Sequence, residues 1–134
     1  MSRKQVYNTD RAVQVMHDLV SSSAAVYSDK FGVSWAEVWS THFEWDDDST
    51  TYAAVVTLWA SNKQNPNEAN DADWVNLVAA HGYDGLPGAG ITASGDGKDM
   101  VDVSASGALW YRWKVARSAG TATLQAYVSR KDRR

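Results

Sequence analysis

The chain of 134 residues has no cysteine and two prolines. Without cysteine there are no disulfides, no thiol nucleophile and no Cys-ligated zinc or iron–sulfur centre. With so little proline, collagen-like and polyproline readings fall away. No apolar run approaches the roughly 20 residues that a membrane-spanning helix requires. The start, Met1-Ser2-Arg3-Lys4-Gln5, is polar and carries no apolar signal core. Synthesis in a cytoplasm without an export signal is the expectation. Histidines are few (His17, His42, His81), and neither H-x-x-x-H nor H-x-H occurs. There is no G-x-S-x-G elbow, no P-loop and no G-x-G-x-x-G.

What the chain does have is rings: seven tryptophans, six tyrosines and two phenylalanines. Apolar residues make up 44% and charged residues 22%, as in an ordinary globular domain. The length suits one domain. The net charge of −3 is too mild to argue for a nucleic-acid or membrane partner. Its distribution is uneven. Residues 1–40 balance four basic against four acidic side chains, residues 41–103 hold eleven acidic and two basic, and residues 104–134 hold seven basic and one acidic. An acidic middle and a basic end permit head-to-tail docking between copies, but acidic turns and a basic edge strand also simply keep a monomer soluble, and on charge alone that second reading leads.

Period-two alternation dominates and points to strands. In Ala108–Arg117 the odd positions Leu109, Tyr111, Trp113 and Val115 are apolar. In Thr121–Ser129 the even positions Ala122, Leu124, Ala126 and Val128 are apolar. The short Gly120-containing link between them predicts a hairpin. Trp35–Trp45 and Tyr52–Ser61 flank the turn cluster Asp46-Asp47-Asp48-Ser49 and predict a second hairpin, with Tyr52, Ala54, Val56, Leu58 and Ala60 inward. Further strands are expected near 13–20 (where Asp10 could instead cap a short helix over Arg11–Val20), 26–33, 72–79 and 99–104, with a polar loop at 62–71 and a long, glycine-rich loop at 81–97. The expectation is all-β: an antiparallel, jelly-roll-like sandwich of about seven or eight strands over 13–134, preceded by an N-terminal arm (1–12).

Candidate chemistry is thin. Asp46, Asp47 and Asp48, with Asp71, Asp73, Asp96 and Asp99, offer oxygen ligands for calcium, but Lys98 and Met100 break the EF-hand spacing and aspartate is a common turn former. Glu37 and Glu44 have opposite parity on one strand, so they do not pair across a glycosidase cleft. No cofactor and no catalytic residue is expected. The outward positions Trp110 and Arg112, with Tyr127 on the next strand and Trp59, are the candidate contact surface. Arg130, Lys131, Asp46, Asp47 and Asp48 are the candidate charged contacts. Aromatics on both faces of the middle strands suggest that another sheet, a loop or a subunit covers the outer face, and a subunit is the expectation.

Four segments taken in order carry a resemblance: Leu58-Trp59-Ala60-Ser61-Asn62-Lys63, Asp73-Trp74-Val75-Asn76-Leu77, Leu109-Trp110-Tyr111-Arg112-Trp113-Lys114-Val115, and Gly120-Thr121-Ala122-Thr123-Leu124-Gln125-Ala126-Tyr127-Val128-Ser129-Arg130-Lys131. Over about residues 54–131 this resembles small β-sandwich structural proteins of tailed-bacteriophage virions. It departs from their pattern at Lys63, which replaces an aspartate, and in the longer loop Gln64–Ala72. The resemblance implies a virion protein of the capsid decoration, head-fibre or tail type. Its partners would be a major capsid protein, other virion subunits or copies of itself. No catalytic residues come with it. A carbohydrate-binding module using Trp110, Tyr127 and Trp59 on a host-surface glycan is the alternative from another class.

Overall fold

The structure, a computed structural model, describes residues 12–33, 36–48, 51–78, 90–104 and 108–132, with side chains of 36–38, 104 and 130–132 left out. The proposed arm lies almost wholly outside these residues. Nine strands follow in order: β1 (Ala12–Ser21), β2 (Ala25–Tyr27), β3 (Ala36–Asp47), β4 (Ala53–Ser61), β5 (Val75–Asn76), β6 (Ile91–Ser94), β7 (Gly97–Ser104), β8 (Trp110–Ala119) and β9 (Ala122–Asp132). A 3-10 turn, Asp71–Asp73, precedes β5. Among the described residues no helix is long and apolar enough to cross a membrane.

One sheet runs β1-β9-β3-β7, and the other runs β2-β8-β4-β5 with β6 also on β4. Apart from the two-residue β5, the first strand pairs with the last, the second with the second last, and so inward: β1 with β9, β2 with β8, β3 with β7, β4 with β6. All are antiparallel. Rolling this nested ribbon adds β3 with β9 and β4 with β8. The result is a jelly-roll sandwich, as the strand pattern suggested.

The pairing differs from the two expected hairpins. β8 and β9 lie in opposite sheets, and so do β3 and β4. Alternation fixes which face of a strand is apolar but not which strand sits beside it. A hairpin and an arch that crosses from one sheet to the other satisfy the same pattern. Gly120, with φ 71°, makes the β8–β9 corner in a conformation that side chains with a Cβ rarely adopt. Arg117 Nη1 donates to Gly120 O (2.9 Å), and the Asp48 amide donates to Thr121 O (2.9 Å), tying that corner to the end of β3. Ile91–Ser94, read as loop from its glycine-rich surroundings, is β6, with Ile91 and Ala93 buried against β4. The strand expected over 72–79 shrinks to Val75–Asn76 because Asn70 caps the 3-10 turn through its side chain.

Inward residues follow the alternation closely. Tyr52, Ala54, Val56, Leu58 and Ala60 are all buried, as are Tyr111, Trp113 and Val115. Leu109 precedes its strand and is exposed instead. The centre is filled by rings. Trp39 packs against Phe31 (5.3 Å between centroids), Tyr111 (5.1 Å) and Trp113 (6.2 Å), and Phe43 meets Trp113 edge-on at 4.9 Å. Trp113 Nε1 donates across the core to Thr41 Oγ1 (3.0 Å), while Trp39 Nε1 is buried without a partner among the described residues.

Candidate functional site

The two sheets have two outer faces, and the candidate residues divide between them. Trp110, Arg112 and Trp59 lie on the outer side of the β2-β8-β4 sheet, because they are out of phase with the buried Tyr111, Trp113 and Leu58. Tyr127 lies on the outer side of the β1-β9-β3-β7 sheet, where its ring meets His42 edge-on at 5.8 Å. Trp110 and Tyr127 therefore stand on opposite sides of the molecule. The single stacking platform of Trp110, Tyr127 and Trp59 does not exist. The expectation failed with the hairpin on which it rested.

Arg112 is not a surface contact. It is fully buried, under cover supplied by the chain itself. The segment between β4 and β5 folds back over the outer face. The Arg112 guanidinium sits over the rings of Tyr27 (4.5 Å), Trp59 (4.9 Å) and Trp74 (5.0 Å). Its Nη1 donates to Glu68 O and its Nη2 to Asp71 Oδ1, each at 2.6 Å, and its Nε has no partner among the described residues. Lys114 Nζ donates to the second Asp71 oxygen at 2.6 Å and lies 5.0 Å from the Trp59 ring centroid. Burial alone would raise the Asp71 carboxyl, but hydrogen bonds from Arg112 and Lys114 outweigh it and hold the group below its ordinary value.

The loop has its own scaffold. Trp74 Nε1 donates to Asn67 O (2.8 Å). The Asn67 amide donates to Asp73 Oδ2 (2.9 Å) and Lys63 Nζ to Asp73 Oδ1 (2.8 Å), which lower the Asp73 carboxyl. Lys30 ties the loop to the body through Asn65 Oδ1 (2.7 Å) and Pro66 O (3.0 Å), with its ammonium 5.4 Å from the Trp110 ring centroid. Of the possible covers for the outer aromatics, this face uses a loop. The sequence signal was the run of Asn and Asp from 62 to 73, whose side chains bond backbone amides locally.

The other outer face holds an open cleft of about 640 Å³ lined by Asp18, Glu44, Trp45, Asp46, Asp96, Lys98, Thr123 and Gln125. Many of its polar groups bond one another. Gln125 Oε1 accepts from Gln14 Nε2 (2.8 Å) and from the Asp18 amide (3.1 Å), and its own amide nitrogen donates to Asp18 Oδ1. Trp45 lies flat against Gly97, where a Cβ would stand 2.7 Å from the indole.

Asp46, Asp47 and Asp48 close one end of this sheet. Asp47 Oδ2 accepts from the Tyr52 amide (3.0 Å), the Asp47 amide donates to Asp96 Oδ1 (2.5 Å), and Asp48 Oδ2 accepts from Thr123 Oγ1 (3.1 Å). The neighbouring Asp96 charge chiefly raises the exposed Asp46 carboxyl. These bonds fit turn chemistry. Among the described residues, no group of three or more His, Asp or Glu is placed to hold a metal ion.

Arg130 and Lys131 lie at the far end of β9, opposite Trp39 and Val38, whereas Asp46 and Asp47 lie opposite Thr123 and Ala122 at its start. Seven residues of strand separate Thr123 from Arg130, or roughly 25 Å. The acidic turn and the basic strand end are thus at opposite poles of one sheet. Lys98 and Arg117 offset part of the charge at the acidic pole.

No family model matches the chain, and no curated protein matches it. Among solved structures, the SPBc2 prophage-derived protein YomS is similar, at 11% sequence identity and a TM-score of 0.47, with 90% of this chain and 94% of that one covered.

Proposed function

We propose that this chain is a non-enzymatic structural protein of a tailed-bacteriophage virion, decorating or cementing the outside of the capsid. The observation that carries this reading is the separation of charge along β9: an acidic turn at one pole and a basic strand end at the other. Such a block docks head to tail, heterologously, onto neighbours that present the opposite sign. The sequence resemblance over 54–131 supports the same class. The ring-filled core also supports it, since a packed interior suits a rigid spacer. Many copies on one shell turn weak single contacts into stable attachment.

The test is to add the purified protein to expanded capsids that lack it. Saturable binding and a higher rupture temperature are expected, and Asp46→Lys with Asp47→Lys should weaken the binding about tenfold or more. No association with the shell would overturn the decoration reading. A tail or receptor-binding role differs in copy number, a few to a few tens per particle rather than hundreds.

A further inference from the structure

The β1-β9-β3-β7 sheet ends in two edge strands with different character. β1 is broken by two register irregularities, between Gln14 and Met16 and between Met16 and Leu19, and Asp18 within it has φ 49°. Bulges of this kind turn an edge away from further pairing. β7 pairs with β3 over Gly97–Ser104 without a register shift, and its other side has no strand partner among the described residues. The Asp48 amide points to β9, at Thr121 O, and the Asp47 amide points to Asp96 beside β7. The odd-numbered residues of β3 thus bond their partners Asp99, Val101 and Val103. The Met100 amide donates to the adjacent Asp99 Oδ1 (2.8 Å). By strand parity, the backbone groups of Lys98, Met100 and Asp102 therefore face the open edge.

Those same three residues present their side chains outward. Met100 is 61% exposed, the most among the large apolar side chains of the described residues, and Lys98 and Asp102 are exposed beside it. Neither Lys98 nor Asp102 forms an ion pair among the described residues. The order Lys-x-Met-x-Asp is self-complementary about its centre. When two such strands meet antiparallel about a two-fold axis at Met100, Met100 faces Met100 of the second copy. Each Lys98 then faces an Asp102 across the strands. A shift by two residues puts Met100 opposite Lys98 or Asp102 and loses this matching.

We infer that β7 is a homodimerisation edge: two copies pair their β7 strands antiparallel about Met100, joining two four-stranded sheets into one of eight. The edge residues supply about six main-chain hydrogen bonds. Two cross-strand Lys98–Asp102 pairs set the register, and the methionines cover one another at the axis. The interface is isologous and closes at two copies. The Asp99 carboxylate caps the edge amide in the free chain and gives it up to the partner's carbonyl. This inference rests on β7 alone and does not depend on the head-to-tail docking proposed above, which uses other residues and the poles of the sheet.

Sedimentation velocity of the full chain over a micromolar concentration series tests it, with far-ultraviolet circular dichroism as the check on folding. The wild type should sediment as a dimer at the upper concentrations. Lys98→Asp sets like charges opposite each other and should raise the dissociation constant about tenfold or more. The swap of both, Lys98→Asp with Asp102→Lys, should restore the dimer, which a merely structural effect of the single change would not do. Both positions are exposed, so the folded monomer tolerates the substitutions. A monomeric wild type, a dimer indifferent to Lys98→Asp, or a swap that fails to restore pairing would each overturn the proposal.

Discussion

Arg112 shows how one side chain can organise a face. Its guanidinium is fully buried, stacked among three rings, and aimed at a backbone carbonyl and a carboxylate from the covering loop. A buried cation is tolerable only when such partners replace water. Arg112→Ala should cost about 3 kcal/mol in urea unfolding, because it removes both donors and leaves a hole between Tyr27, Trp59 and Trp74. Arg112→Lys should recover less than half of that, since an ammonium lacks the planar fork that reaches Glu68 O and Asp71 together. Equal stability of the lysine variant and the wild type would contradict this account of the cluster. In the sequence, Arg112 read as outward from its phase, and that was correct. Its burial was not legible, because parity says which side of a sheet a residue occupies and nothing about what lies over that side.

At the scale of elements, the loop from β4 to β5 and the corners between sheets are the informative parts. The loop's hold is partly electrostatic, so it depends on pH. Asp71 and Asp73 are held below their ordinary 3.8, so each favours the folded state above that pH. That contribution is lost as pH falls through the lower native value. Asp46 has the opposite sign: its repulsion with Asp96 opposes folding at neutral pH and is relieved on acidification. Asp71→Asn should therefore cost about 1 kcal/mol at pH 7, solvent screening included, and the gap from wild type should narrow as pH falls below the ordinary carboxylate range. A gap independent of pH would mean that the loop is held by its other hydrogen bonds. Strand positions and inward faces were largely readable: the alternation in 52–60 and 111–115 matches the buried residues. Strand neighbours were not. The link at Gly120 is as short as a hairpin turn, yet it carries the chain from one sheet to the other. Ile91–Ser94 escaped notice because four residues among glycines hold too few alternations to register as a strand.

The whole molecule is a filled jelly roll with one outer face sealed by its own loop and the other left open. On the open face the charges fall at two poles, and one of the two edges is straight and has no strand partner among the described residues. The head-to-tail contacts proposed at the poles and the isologous contact proposed at β7 would use different surfaces, so one copy could take part in both. That combination suits a repeating shell, where local two-fold pairs are tied into a wider array. If this protein is a component of a virion, as proposed, quantitative mass spectrometry of purified particles is the most direct test. Particles from cells that make the protein should contain it at a copy number in the hundreds, in fixed ratio to the major capsid protein. Particles that assemble and infect without containing it would contradict the claim.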